Sequence, residues 1–91
     1  MSYHINTSKR FDKHYKLCKK RGYDMSLIQK AIRLLATNGS LPAEYRPHRL
    51  SAKFNCCWEC HIKGDWLLLW EQNDDELTLL LTNTGTHSDI F

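Results

Sequence analysis

Three histidines of this sequence fall in or next to predicted turns, and two carboxylates lie close to one of them. The histidines are His48, His61 and His87, and the carboxylates are Glu59 and Asp65. An imidazole titrates near neutral pH with little perturbation, so it can give or take a proton at a reacting group. Histidine and aspartate are also zinc ligands, although these histidines lack the close spacing of a typical zinc motif. The pattern is therefore compatible with acid–base catalysis, with a zinc site or with an ordinary polar surface.

A predicted β-hairpin indicates how some of these groups meet. If its loop is residues 62–64, with Gly64 in the left-handed conformation, His61 lies directly opposite Asp65. Side chains alternate along a strand, so Glu59 would share their face while the tryptophans point to the other one. The sequence thus predicts a histidine and two carboxylates at one corner of a sheet. An incidental charge pair on a solvated hairpin is the alternative.

Two amphipathic helices are predicted ahead of the hairpin. The first runs from Lys9 to Arg21, where Phe11, Tyr15 and Cys18 recur every three or four residues and form one apolar stripe. The second lies in the segment DMSLIQKAIRLLATNG, in which the aspartate can cap the start and the Asn-Gly pair ends the helix. The two helices should form a helical hairpin.

Strands are predicted on either side of the helices. SYHIN can form a short first strand, and CCWECHI, DWLLLWE and ELTLLLT are three later runs of strand length. The segment SLPAEYRPHRL holds two prolines, so we expect an ordered loop that places His48. The order β-α-α-β-β-β predicts an α+β fold, with two N-terminal helices on one face of an antiparallel sheet. A chain of this length predicts one domain over residues 1–91.

Positive charge is concentrated in the first part of the sequence. Residues 1–53 hold twelve Lys and Arg against three acidic groups, whereas residues 54–91 hold one lysine against seven. The first helix alone carries seven cations: Lys9, Arg10, Lys13, Lys16, Lys19, Lys20 and Arg21. This density predicts a phosphate-bearing or acidic partner. A solvated helix face is the more ordinary interpretation.

Composition argues against membrane, secreted and zinc-knuckle proteins. No apolar run approaches the roughly 18 residues of a membrane span, and the opening MSYHIN is unlike a signal peptide, so we expect a cytoplasmic protein with reduced cysteines. Cys57 and Cys60 form a C-x-x-C, but positions three apart on a strand face opposite ways. We therefore expect no bound metal and no cofactor.

Four segments resemble, in order and spacing, the YafQ family of bacterial type II toxin–antitoxin toxins, within the RelE superfamily. They are SKRFDKHYKLCKKRGYDMSLIQKAI, LPAEYRPHRL, ECHIKGDWLLLW and TGTHSDIF. The resemblance implies a RelE-like fold, with two N-terminal helices packed on a twisted antiparallel sheet. It also implies an endoribonuclease that cuts mRNA on the ribosome and is neutralised by a cognate antitoxin protein, with no membrane involved.

The resemblance also implies which residues act. Its catalytic positions match His48, His61, Asp65, His87 and Phe91, with Glu59 and Trp66 as substrate-binding neighbours in the same segments. It implies a metal-independent cleavage in which the ribose 2′-hydroxyl attacks the adjacent phosphorus. We expect His87 to be the general acid, His61 or Asp65 to be the base, and His48 to hold the phosphate. Phe91 would pack against a base of the RNA.

Several positions depart from the family pattern, namely Pro47, Ser51, Ala52, Trp58 and Asn83. The family usually has an arginine where this chain has Asn83, and asparagine supplies neutral hydrogen bonds but no charge. We expect Arg49 or Lys53 to replace the missing cation near the phosphate. The departure leaves an alternative to a full RNase, namely a binding module with weakened cleavage that acts mainly through its antitoxin or RNA.

Overall fold

The computed structural model describes residues 2–50 and 57–91 of the chain. Strands in this part of the chain are β1 (His4–Thr7), β2 (His48–Arg49), β3 (Trp58–Lys63), β4 (Trp66–Asn73) and β5 (Thr78–Gly85). Its helices are α1 (Lys9–Lys20), α2 (Met25–Asn38) and the short α3 (His87–Ile90), with a 3₁₀ turn at Ala43–Tyr45. The predicted α+β class and the two N-terminal helices are confirmed, and β2 and α3 are additions to the predicted elements.

The predicted capping residues set the bounds of the first two helices. The Ser8 hydroxyl accepts the N–H of Phe11 at the start of α1, and the Asp24 carboxylate accepts the N–H of Ser26 at the start of α2. Side-chain oxygens at this position satisfy N–H groups that have no partner inside the helix. Both helices therefore begin where the sequence predicts.

The sheet is mixed and has the strand order β1-β5-β4-β3-β2. Strands β3, β4 and β5 form the predicted antiparallel meander, and β2 extends it at one edge. Strand β1 joins the other edge parallel to β5, ending with Thr7 opposite Leu81. The long helical connection after β1 makes a parallel pairing possible, and nothing in the sequence SYHIN fixes its direction.

Helices α1 and α2 cover one face of the sheet. The buried residues at this contact are Phe11 and Cys18 of α1, Ile28, Ala31 and Leu35 of α2, and Cys60, Trp66, Leu68, Trp70, Leu79 and Leu81 of the sheet. The opposite face bears Glu59, His61, Leu67 and Leu69, and we call it the outer face. There Leu67 and Leu69 pack with Ile90 of α3 in a second, smaller cluster. The chain therefore folds back across the outer face at α3.

The β3–β4 hairpin has a different register from the predicted one. His61 pairs with Leu67 and Lys63 pairs with Trp66, with an irregularity between His61 and Lys63. The turn consists of Gly64 and Asp65 alone, with Gly64 at φ 56°, in the left-handed region that glycine favours. The prediction that His61 lies opposite Asp65 is therefore wrong, because the loop is shorter and a bulge absorbs the extra residue.

No helix among residues 2–50 and 57–91 combines the length and apolar character needed to cross a bilayer.

Candidate active site

One row of residues crosses four strands on the outer face. His48 pairs with Glu59 between β2 and β3, Glu59 with Leu69 between β3 and β4, and Leu69 with Asn83 between β4 and β5. Neighbouring strands lie about 4.8 Å apart, so the row spans roughly 14 Å. His48 and Glu59, two of the predicted site residues, lie at one end of the row. Asn83 lies at the other end, beyond the apolar Leu69.

His48 and Glu59 contact each other at the first end of this row. His48 Nε2 lies 3.2 Å from Glu59 Oε1, and His48 Nδ1 lies 3.0 Å from the Arg46 carbonyl oxygen. Both ring nitrogens thus face acceptors, and an imidazolium satisfies both by donating from each nitrogen. Glu59 is 5% exposed, which shields the pair's carboxylate from water. The arrangement directs both ring nitrogens of His48 toward acceptors of the protein.

His61 lies next to this pair. Its ring centre is 6.4 Å from that of His48, and its partner across the strands is Leu67. His61 Nδ1 is buried and has no hydrogen-bond partner among the residues that the structure describes. A buried nitrogen without a partner is uncommon and is a frequent feature of functional sites. His61 is therefore a candidate functional histidine of this face.

Asp65 forms its contact with His87, not with His61. Asp65 Oδ1 accepts a hydrogen bond from His87 Nδ1 and a longer one, at 3.3 Å, from the His87 backbone N–H. The side-chain bond is the main cause that lowers the pKa of the Asp65 carboxyl from its ordinary value. An ionised carboxylate on Nδ1 fixes the tautomer of a neutral ring and stabilises the protonated ring. His87 Nε2 is then left to face a substrate.

The start of α3 is shaped by a capping box. The Thr86 hydroxyl accepts the N–H of Asp89, and Asp89 Oδ2 accepts the N–H of Thr86 at 2.9 Å. A Cβ at Gly85 would come within 2.7 Å of the Asp89 carboxylate, so the close turn requires glycine at this position. This turn directs His87 toward Asp65 immediately after β5.

Two further contacts hold α3 on the rest of the fold. Arg21 donates two hydrogen bonds to the Asp89 carboxylate, at 2.6 and 2.9 Å, and these lower the pKa of that carboxyl far below its ordinary value. Ile90 packs on Leu67 and Leu69. Phe91 follows with 55% of its surface exposed and its ring centre 6.1 Å from that of His87. An exposed aromatic ring beside a histidine can stack on a nucleobase.

Asn83 has a neighbour that sequence reasoning missed. Its Oδ1 lies 2.6 Å from Nδ1 of His14 on α1. The sequence shows His14 as one more polar residue of a cationic helix, with no motif to single it out. Only the packing of α1 against β5 brings it to this position.

The remaining predicted site residues lie elsewhere. Trp66 is 5% exposed within the core beneath the helices, and its indole N–H donates to Thr84 Oγ1 at 3.0 Å. It therefore supports the sheet from the opposite side and does not present its ring to a substrate on the outer face. The Arg49 guanidinium lies 5.8 Å from the ring centre of Trp58. Lys53 lies outside the described residues.

The described cysteines and acidic groups form no metal centre. Among residues 2–50 and 57–91, no three His, Cys, Asp or Glu side chains are placed to hold one ion. Cys60 is fully buried in the core, and burial raises the pKa of its thiol to about 12. A thiol in this environment stays protonated and is a poor ligand or nucleophile.

Comparison with known proteins gives one consistent result. Residues 3–91 match the family model described as "Bacterial toxin of type II toxin-antitoxin system, YafQ". The chain is 34% identical over 88 residues to the mRNA interferase toxin YafQ of Escherichia coli strain B, covering 96% of this chain and 94% of that protein.

Solved structures agree with this result. The YafQ structure in the E. coli DinJ-YafQ toxin–antitoxin complex superposes with a TM-score of 0.89 at 32% identity, covering 100% of this chain and 99% of that one. A metal-bound toxin from Helicobacter pylori superposes with a TM-score of 0.88 at 40% identity, covering 100% of both chains. The sequence match over nearly the whole chain and the shared fold place this protein in the YafQ family of bacterial type II toxin–antitoxin toxins.

Proposed function

We propose that this chain is an mRNA interferase, a ribosome-dependent endoribonuclease that acts in the cytoplasm and is neutralised by a cognate antitoxin. The relative from E. coli is named an mRNA interferase toxin, and another relative was solved with its antitoxin. The observation that carries the proposal is the His87–Asp65 pair, which α3 holds beside the outer face. The cationic helix α1 supplies a surface that suits RNA or an acidic antitoxin segment.

The proposed reaction transfers two protons and needs no external reagent. A base removes the proton of the ribose 2′-hydroxyl, and the resulting oxygen attacks the adjacent phosphorus. An acid protonates the departing 5′-oxygen, so that one product ends in a 2′,3′-cyclic phosphate and the other in a 5′-hydroxyl. His87 Nε2 is the acid, because Asp65 on Nδ1 stabilises the protonated ring. His48 is the proposed phosphate-holding residue, and its ring would exchange the Arg46 carbonyl acceptor at Nδ1 for a phosphate oxygen.

The geometry favours His61 over Asp65 as the base. Asp65 Oδ1 already accepts two hydrogen bonds from His87, and the pKa of Asp65 is lowered by the first of them. A general base works best when its pKa lies near the operating pH, which a stabilised carboxylate does not satisfy. His61 lies on the outer face with its ring centre 6.4 Å from that of His48, the proposed phosphate-holding residue. Asp65 then acts through His87, as the group that orients it.

Cleavage on programmed ribosomes tests the proposal directly. Purified chain should cut mRNA in the ribosomal A site and leave a 2′,3′-cyclic phosphate, and added cognate antitoxin should stop the reaction. His61→Gln should abolish cutting, whereas His4→Ala, an exposed histidine on β1, should leave it unchanged. Intact mRNA at every enzyme concentration would contradict the proposal. If the mRNA stays intact but expression of the chain still arrests growth, the result would favour the second function, a binding module with weakened cleavage.

A further inference from the structure

The hydrogen bonds of Asn83 fix which way its amide points. Asn83 Oδ1 accepts the backbone N–H of Thr84 at 2.9 Å, and a backbone N–H can only donate. The atom in this position is therefore the amide oxygen, not the amide nitrogen. The same oxygen lies 2.6 Å from His14 Nδ1, so His14 must donate from Nδ1 as well. Two donors thus hold one side of the amide.

The amide nitrogen of Asn83 is left available. Asn83 is 5% exposed, and its Nδ2 donates to no acceptor among the described residues. The buried polar atoms that lack a partner in residues 2–50 and 57–91 are His61 Nδ1 and Thr82 Oγ1, so Asn83 Nδ2 keeps contact with solvent. A fixed N–H donor pair in a nearly closed site is a preorganised acceptor-binding group.

Asn83 lies on the same face of the sheet as the proposed active site. Asn83 lies in the same row of the outer face as His48 and Glu59, with Leu69 between them. Strand β1 stops opposite Leu81, which leaves the edge of β5 at Asn83 open to α1. His14 reaches the edge there. The helix that delivers it carries six cations, so the local field favours an anionic ligand.

We propose that His14 is a positioning residue which, through Asn83, forms a second subsite for an RNA phosphate on the outer face. The inference rests on the proposed function for the identity of its ligand. The scissile phosphate would lie by His48, and a neighbouring backbone phosphate would accept hydrogen bonds from Asn83 Nδ2. Donors on phosphate oxygens fix register without reading sequence. His14 is then the basic residue that supports Asn83.

Two substitutions separate the donor from the fold. Asn83→Asp keeps an oxygen that accepts from Thr84 and His14, but it replaces the free N–H₂ with a second anionic oxygen. It should remain folded and weaken RNA binding by about tenfold or more, because a charge now opposes the phosphate. His14→Gln retains a donor for Asn83 Oδ1 and should stay within about threefold of wild type, whereas His14→Leu should lose about tenfold.

The readout is binding of an RNA oligonucleotide whose 2′-hydroxyls are methylated, which cannot be cleaved by the proposed route. Cleavage on programmed ribosomes is measured in parallel and should show an effect on KM larger than that on kcat. If the wild type binds the oligonucleotide but does not cleave mRNA, the proposed function fails, yet weaker binding by Asn83→Asp still supports the subsite. Folded Asn83→Asp that binds as wild type overturns the inference. Equal losses for His14→Gln and His14→Leu would also overturn it, since the donor would then not matter.

Discussion

At the scale of single residues, the ionisable groups of the site differ in the contacts that each one makes. Asp65 is held as a carboxylate by His87, and Glu59 faces His48, while His61 keeps a buried nitrogen without a partner in the described part of the chain. Acid and base roles commonly follow from such differences in environment. The exposed Asp65–His87 pair contributes little to stability, so its value lies in orienting the ring.

Replacing Asp65 with asparagine should slow cleavage while leaving the fold intact. The amide cannot stabilise a protonated His87, and we expect a loss of roughly 10²–10⁴-fold in single-turnover rate, similar to His87→Ala. Both side chains are more than half exposed, so the thermal midpoint should stay unchanged. Glu71→Gln, at an exposed carboxylate of β4, is the matched control. Wild-type rates for Asp65→Asn would remove the pair from the mechanism.

At the scale of elements, the short helix α3 is held in place by contacts from outside itself. A four-residue helix has almost no stability of its own. Its capping box, the Arg21–Asp89 pair and the packing of Ile90 on Leu67 and Leu69 supply the missing stabilisation. The orientation of His87 thus depends on a residue at the far end of α1.

Arg21→Gln should release α3 without unfolding the core. The pKa of Asp89 is lowered in the folded protein, so its pairing with Arg21 stabilises α3 at neutral pH and is lost as the pH falls below about 4. At pH 7 the variant should show faster amide exchange in residues 87–91 and slower cleavage, and it should lack this acid sensitivity. Lys20→Gln, one position earlier, controls for lost charge. If amide exchange in residues 87–91 is unchanged in Arg21→Gln, the other contacts hold α3 in place without Arg21.

The positive side chains of α1 should bind polyanions through direct contacts, and not only through the net charge of the protein. Reversing Lys13 and Lys20 to glutamate should weaken binding to ribosomes and lower the salt dependence by about one unit of slope per lost phosphate contact. Lys30 and Arg33, exposed on α2, give a matched double reversal. Equal effects of the two pairs would mean that only total charge matters.

At the scale of the whole molecule, the cationic residues and the proposed acid and base groups lie mostly in different parts of one fold. The cations are concentrated in residues 1–53, and most of the acidic groups follow them. Strand β5 connects the two regions, because it pairs with β1 and β4 and packs against α1. An RNA bound on the outer face would therefore meet the proposed acid and base beside a positive helix.

Chelators should leave cleavage unchanged, because the proposed reaction uses side-chain acid and base groups only. A relative was solved with bound metal, so the test discriminates between two mechanisms. Cleavage with and without EDTA, together with metal analysis of the purified protein, provides the measurement. Stoichiometric zinc whose removal abolishes activity would favour the zinc-dependent hydrolase that the residue types in the sequence also suggested.

The sequence by itself determined the local elements and the residue types of the site. Apolar periodicity and capping residues located α1 and α2, and apolar runs of strand length located the meander, because these signals act between residues close in the chain. The histidine set and its link to the YafQ family were also readable from short segments. The short strand β2 was not, since two residues carry no period.

Only the tertiary structure decided which partners these residues meet. Asp65 meets His87 because a bulge shortens the β3–β4 loop to two residues, and local pattern does not fix a loop register. His14 meets Asn83 across 69 positions, because β1 ends opposite Leu81 and leaves an edge for α1 to fill. Such contacts depend on how the elements pack. The free energy of packing is shared among many residues, so no single segment of the sequence predicts these contacts.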